Sequence, residues 1–236
     1  MRVVGLAALA AFLAGCTGQI RESLPKGAPQ PGSQAAVREG QPYSVVPAES
    51  LLTILVYRGG TLARMGHNHV VASHDLEGVA YAPDDLTRTS FEVHIPVSKL
   101  TVDEPELREA AGTDFPPGVP DSAKEGTRNN MLSAALLDAE HFPEILLRSQ
   151  SVDVVGPNEL LLHVQVTAKD QTSAVTVPAH YELTAGSLEA TGEFPLKHSD
   201  LGLTPFSVML GAMQVQDEMK VRFKLHFTPV SPQIMR

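Results

Sequence analysis

Cysteine is almost absent from this chain. Cys16 is the only one among 236 residues, so no internal disulfide can form. Positive charge is scarce as well: 18 Lys and Arg stand against 27 Asp and Glu, leaving a formal charge of −9. Phosphates would be repelled and no Lys/Arg cluster offsets this, which argues against nucleic acid as a partner. No phosphate-cradling glycine loop, Walker motif or calcium loop occurs. Tryptophan is missing and aromatic residues total only 5%. What is left is still 43% hydrophobic, ample for one folded domain with a sizeable core.

The pattern that is present is alternation. Val221, Phe223, Leu225 and Phe227 interleave with Lys220, Arg222, Lys224 and His226. A strand turns successive side chains to opposite faces, so such a run has one dry face and one wet face. The same reading applies to Phe91, Val93, Ile95 and Val97, to Leu160, Leu162, Val164 and Val166, to Val175, Val177, Ala179 and Tyr181, and to Leu188, Ala190, Phe194 and Leu196. Further strands are expected over residues 43–46 and 51–58, and one long extended segment over 67–81. Pro96 cannot donate to a ladder, which places its strand at an edge or a bulge. Without crossover helices, these runs form an antiparallel sheet curled around its own apolar side.

The alternation breaks between Val102 and Pro143. Two short helices fit there. One covers Pro105–Ala111, with Pro in its first turn and Gly112 as its stop. The other follows the capping-box pair Ser122 and Glu125 and carries Met131, Leu132, Ala135 and Leu136 on one face. The expected fold is all-β: an antiparallel barrel of about eight strands, with one or two short helices in a long insertion capping its mouth. Phe91, Val93, Ile95, Leu162, Val164, Tyr181 and Phe194 should face inward, and Leu132 and Leu136 should close one end. Alternation leaves open whether these faces grip one another or enclose a space.

The N-terminus reads differently. Met1 and Arg2 precede VVGLAALAAFLAGC, too short for an ordinary membrane span and of signal-peptide length. Leu13-Ala14-Gly15-Cys16 resembles the lipobox of bacterial lipoproteins. That resemblance implies a signal peptide over 1–15 and a lipidated Cys16 anchoring the mature chain in a membrane. Thr17 in place of Asp implies, by the same resemblance, the outer membrane and a periplasm-facing domain. Residues 16–42 are rich in Pro, Gly, Ser and Gln and read as a tether. As a flexible coil it would span roughly 25–30 Å. The folded domain is expected over 43–230, followed by a tail over 231–236.

Three stretches of the folded part resemble the YceI-like family. Residues 137–149 (LDAEHFPEILLRS) match its helix-to-strand junction. Residues 191–202 (TGEFPLKHSDLG) match its late strand, with Leu201 where an aromatic is frequent. Gly211 and residues 215–221 (VQDEMKV) fit its final strand. The resemblance implies a lipocalin-like barrel that binds a long-chain apolar or amphiphilic ligand such as a polyisoprenoid, a quinone or a fatty-acid-like molecule. It implies a carrier, store or sensor without a cofactor, and no enzyme activity. Whether a homodimer forms is left open.

Arg64-Met65-Gly66-His67-Asn68-His69-Val70 departs from the better-known members of that family. On a strand His67 and His69 would share a side, which suits two imidazoles on one metal, with His74, His198 or Asp200 as a third ligand. They could equally contact the polar head of a bound lipid, or sit at a barrel rim with a structural role. Ser73-His74-Asp75 and His198-Ser199-Asp200 do not make triads, because neighbours on a strand face opposite ways. Asp84-Asp85 reads as a solvated turn, and Met209 and Met213 as core or cavity lining. A structural or assembly lipoprotein without a small ligand is the remaining alternative.

Overall fold

Because each alternating run has one apolar face, the sheet closes on itself and leaves no such face to water. The computed structural model describes residues 38–231. The expected signal peptide over 1–15, Cys16, residues 17–37 of the expected tether and tail residues 232–236 lie outside the described residues.

The strands are β1 (Gln41–Val45), β2 (Leu51–Gly59), β3 (His69–Ser73), β4 (Glu77–Ala82), β5 (Ser90–Pro96), β6 (Thr101–Val102), β7 (Glu144–Gly156), β8 (Glu159–Ala168), β9 (Gln171–Leu183), β10 (Leu188–Lys197), β11 (Ser207–Val208) and β12 (Met213–Pro229). Every pairing is antiparallel. The order β1-β4-β5-β7-β8-β9-β10-β12 returns to β1 through Tyr43 opposite Pro229 and Val45 opposite Phe227. That is a closed barrel of eight strands. Strands β2, β3 and β6 continue the sheet from residues 214–224 of β12.

The first three rows of the barrel are each broken once. β1 and β2 lie along one edge of β12, separated by a 3-10 turn at Pro47–Glu49. Pro47 has no amide proton, so the ladder stops there. The buried Ser50 side chain fills the gap, its Oγ accepting from the His226 amide at 3.0 Å. Residues 74–76 interrupt β3 and β4, and the 3-10 turn Val97–Lys99 interrupts β5 and β6. The extended segment expected over 67–81 is thus two strands, and it starts at His69. β1 begins at Gln41, inside the segment whose composition suggested tether. Pro96 is the last residue of β5, which lies between β4 and β7 and not at an edge. The strand ends at Pro96, which itself lacks a donor, and the next amide, Val97 N, donates to Pro143 O at 2.9 Å.

Helix α1 is Pro105–Ala111, closed by Gly112 at φ 96°. It covers the outer face of β2 and β3, where Leu55, Val70 and Phe115 form a small closed core beside Leu107 and Ala111. Helix α2 (Asp121–Leu132) begins after Pro120, one residue before Ser122, so the expected capping box does not form. It also ends at Leu132, and Leu136 belongs to the turns that follow.

Candidate functional site

The inward side chains of the barrel do not meet. Leu52, Ile54, Phe91, Ile145, Leu147, Leu162, Phe194, Phe223 and Leu225 are only partly buried although they point to the axis. The reason is a cavity of about 940 Å³ that they line. At about 30 Å³ per water-sized group, it has room for roughly thirty such groups. It lies near the upper end of the range for small-molecule sites. Its wall is almost wholly aliphatic and aromatic.

The cavity opens at one end. Its exposed lining residues, among them Arg58, Met65, His67, Gly126, Asn130, Thr204, Phe206 and Gln214, come from the end of β2, the loop before β3, α2 and the segment around β11. At the opposite end, Ala82, Leu86, Thr89, Tyr181 and Leu188 line it without any being exposed. Beside the mouth, Met209 is exposed and Leu210 stands fully out of the fold, both at positive φ (52° and 56°). Met213 lines the cavity, whereas Met209 does not, so only one of the two fits the expected lining role.

Phe91, Val93, Ile95, Leu162, Val164, Tyr181, Phe194, Leu136, His67 and His69 all line the cavity. Leu132 does not. It packs against the barrel core from the last turn of α2, while its neighbour Met131 takes the place on the wall.

Polar groups gather at the mouth. His69 Nδ1 lies 2.6 Å from Asp103 Oδ2, and His69 Nε2 lies 3.2 Å from Thr127 Oγ1 on α2. Asp103 follows β6 and is fully buried, at φ 57°. Its Oδ1 accepts from the Val70 amide at 2.9 Å and from the Arg108 guanidinium. Arg108, on α1, is itself 3% exposed and also donates to Asn68 O at 2.8 Å and Pro116 O at 2.7 Å. Burial alone would raise the Asp103 carboxyl. The hydrogen bonds from the His69 ring and the Val70 amide, with the Arg108 guanidinium, outweigh it and hold this carboxyl below the usual aspartate range. A carboxylate only accepts, so His69 Nδ1 carries the proton that faces it.

Strand geometry is not what unites His67 and His69. β3 starts at His69 and His67 precedes it in a loop, yet the two rings meet edge to face at 6.0 Å. Among the described residues no three His, Cys, Asp or Glu side chains converge as a metal site. His74 pairs with Glu104 at 3.1 Å, His198 Nδ1 donates to Asp217 O at 2.9 Å, and Asp200 accepts from the Lys197 amide at 3.2 Å. None of the three candidate third ligands reaches the pair.

The model of the YceI-like domain family matches residues 43–227. This chain belongs to the YceI-like family. Its barrel resembles BcnA of Burkholderia cenocepacia, with TM-score 0.58 at 16% identity over 77% of this chain and 98% of that one. It also resembles a polyisoprenoid-binding domain from Saccharophagus degradans implicated in plant cell wall breakdown, with TM-score 0.53 at 11% identity over 80% of this chain and 98% of that one. At such identities the likeness is one of fold. No curated protein matches the chain.

Within this YceI-like barrel the Gly66-His67-Asn68-His69 segment is tied down on both sides. Asn68 Oδ1 accepts from the Arg58 amide at 3.0 Å, and Asn68 Nδ2 donates to Asp114 O at 2.8 Å. Arg58 Nη1 donates to Gly66 O at 2.7 Å. The residues that sequence reasoning missed are Asp103, Arg108 and Thr127. No motif marks them. They lie in the insertion, whose composition shows only two short helices.

Proposed function

We propose that this chain is a periplasm-facing lipoprotein that holds one long-chain apolar or amphiphilic molecule inside its barrel. The ligand is a polyisoprenoid, a quinone or a fatty-acid-like chain, and the role is transport, storage or sensing. The protein is a binder and not an enzyme. One observation carries this reading: the apolar faces of eight closed strands stand apart around about 940 Å³. An apolar chain entering such a space leaves water at a gain of roughly 0.8 kcal/mol per methylene, or about 12 kcal/mol for fifteen carbons before the costs of association. The fold shared with a polyisoprenoid-binding domain supports the same class of ligand.

A cavity of this kind discriminates weakly between chain homologues, because one methylene changes affinity little. The Cys16 reading supports attachment to the outer membrane, with lipidated Cys16 as the anchor and the barrel held off the bilayer by the tether. The test is native mass spectrometry of the chain isolated from a periplasm, followed by organic extraction. A co-purifying long-chain lipid is the expected result. A clean apo mass, together with no uptake of an added prenyl chain, would sink the proposal and favour an assembly role.

A further inference from the structure

The polar cluster at the mouth is out of keeping with the rest of the wall, and it is built with care. Four elements supply it: β3 gives His69, the residue after β6 gives Asp103, α1 gives Arg108 and α2 gives Thr127. Two of these side chains, Asp103 and Arg108, are buried and held by several hydrogen bonds each. The other two, His69 and Thr127, line the cavity. Both ring nitrogens of His69 have partners, and the one on the cavity-lining side of the cluster, Nε2, has only the Thr127 hydroxyl among the described residues.

We infer that His69 and Thr127 form a headgroup subsite for a hydroxyl-bearing long-chain ligand, such as a prenyl alcohol or a quinol. This rests on the ligand-binding reading given above. Asp103 accepts the hydrogen bond from Nδ1–H of His69, so in the neutral ring Nε2 is an acceptor. Its present partner, the Thr127 hydroxyl, sits 3.2 Å away, longer than a well-formed bond to a hydroxyl. A ligand hydroxyl can step between them. It donates to Nε2 and accepts from Thr127, and every donor and acceptor stays matched. The chain behind that hydroxyl then runs down the barrel towards Phe91, Leu162 and Phe194.

The site suits a neutral head better than an anion. The Asp103 carboxylate, one hydrogen bond behind the ring, is paired with the buried Arg108 guanidinium, so the two leave no net charge there to draw an anion. Arg108 offsets that charge directly and gives its donors to Asp103, Asn68 O and Pro116 O. Arg58, at the exposed rim, donates Nη1 to Gly66 O. Asp103 and Arg108 act as positioning residues that fix the tautomer and the ring plane.

The test uses full-length protein stripped of bound lipid on a hydrophobic resin. Geranylgeraniol, its methyl ether and its monophosphate compete against a fluorescent alkyl probe. The alcohol should bind about threefold to tenfold tighter than the ether, the value of one hydrogen bond, because the ether cannot donate to Nε2. His69→Ala should bring the alcohol down to the affinity of the ether and leave the ether unchanged within about twofold. Thr127→Val keeps the side-chain shape and should weaken alcohol and ether alike, since the oxygen of each accepts from the Thr127 hydroxyl; unchanged affinity for both would overturn the subsite even if His69→Ala does not fold. Equal binding of alcohol and ether by the wild type would overturn the subsite and leave the cavity reading standing. A monophosphate preferred by the wild type and rejected by His69→Ala would replace it with an anion site. Hydrolysis of a long-chain nitrophenyl ester that is lost in Thr127→Val would recast the three groups as a nucleophilic relay and overturn the subsite too. If none of the three compounds binds, the cavity reading itself falls.

Discussion

Two leucines in one sheet should respond very differently to truncation. Leu55 on β2 is 2% exposed, shut between Val70 and Phe115 beneath α1. Leu162 on β8 faces the axis but looks into the cavity. Leu55→Ala removes buried methylenes and leaves a sealed void, and both terms count, for a cost of about 3–4 kcal/mol. Leu162→Ala only widens a space that already exists. The void term vanishes and the transfer term is reduced, because the side chain is incompletely shielded, so about 1–1.5 kcal/mol is expected. The gap of about 2 kcal/mol should appear in urea unfolding as a difference of roughly 1 M between the two midpoints. Adding a tight-binding prenyl chain should enlarge the cost of Leu162→Ala, since the ligand supplies the contacts that the empty barrel lacks. Equal losses for both variants in ligand-free protein would refute the reasoning, because they would mean that the inner faces pack against each other in solution.

Filling the cavity should separate binding from folding: Ala190→Phe places a ring in the lining, and lipid uptake should fall while the melting temperature holds or rises. Gly192→Ala should destabilise by about 1–3 kcal/mol, measured by thermal unfolding, because a Cβ there would lie 2.5 Å from both the Phe223 ring and Pro178 O. Asp103→Asn leaves the buried Arg108 guanidinium without its counter-charge and should cost about 3–5 kcal/mol. Since the Asp103 carboxyl is held low in the folded state, its contribution is complete above the unfolded carboxylate pKa and is lost as pH falls through the depressed folded value. The gap between wild type and Asp103→Asn should therefore stay constant near neutrality and close only below about pH 4, which urea unfolding at a series of pH values will show.

Local pattern made most of the barrel legible. The run from Lys220 to Phe227 alternates strictly, and β12 carries all of it, with Val221, Phe223, Leu225 and Phe227 on the cavity wall. Pro105 and Gly112 bound α1 because each acts on its own backbone, by a fixed φ and by a left-handed stop. The same local rule failed at Ser122, where Pro120 started α2 first, and at Leu136, where the helix had already ended. It separated β1 from β2, but it did not foresee the break between β3 and β4, where the sequence reads as one extended segment.

The mouth was far less readable. His69 was visible in its motif, but its partners lie 34 and 58 residues away. Asp103 and Thr127 carry no spacing that ties them to it. They meet only because α1 and α2 dock beside the open row of β3 and β6.

By itself, then, the order of residues determined which segments extend, which faces of them are oily, and that an antiparallel barrel would result. Those properties have a period of two and need no distant partner. Whether the barrel is hollow, and where its polar groups gather, was decided only in three dimensions. Eight strands set a circumference, the side chains within it occupy less than the enclosed volume, and that difference belongs to the whole closed sheet.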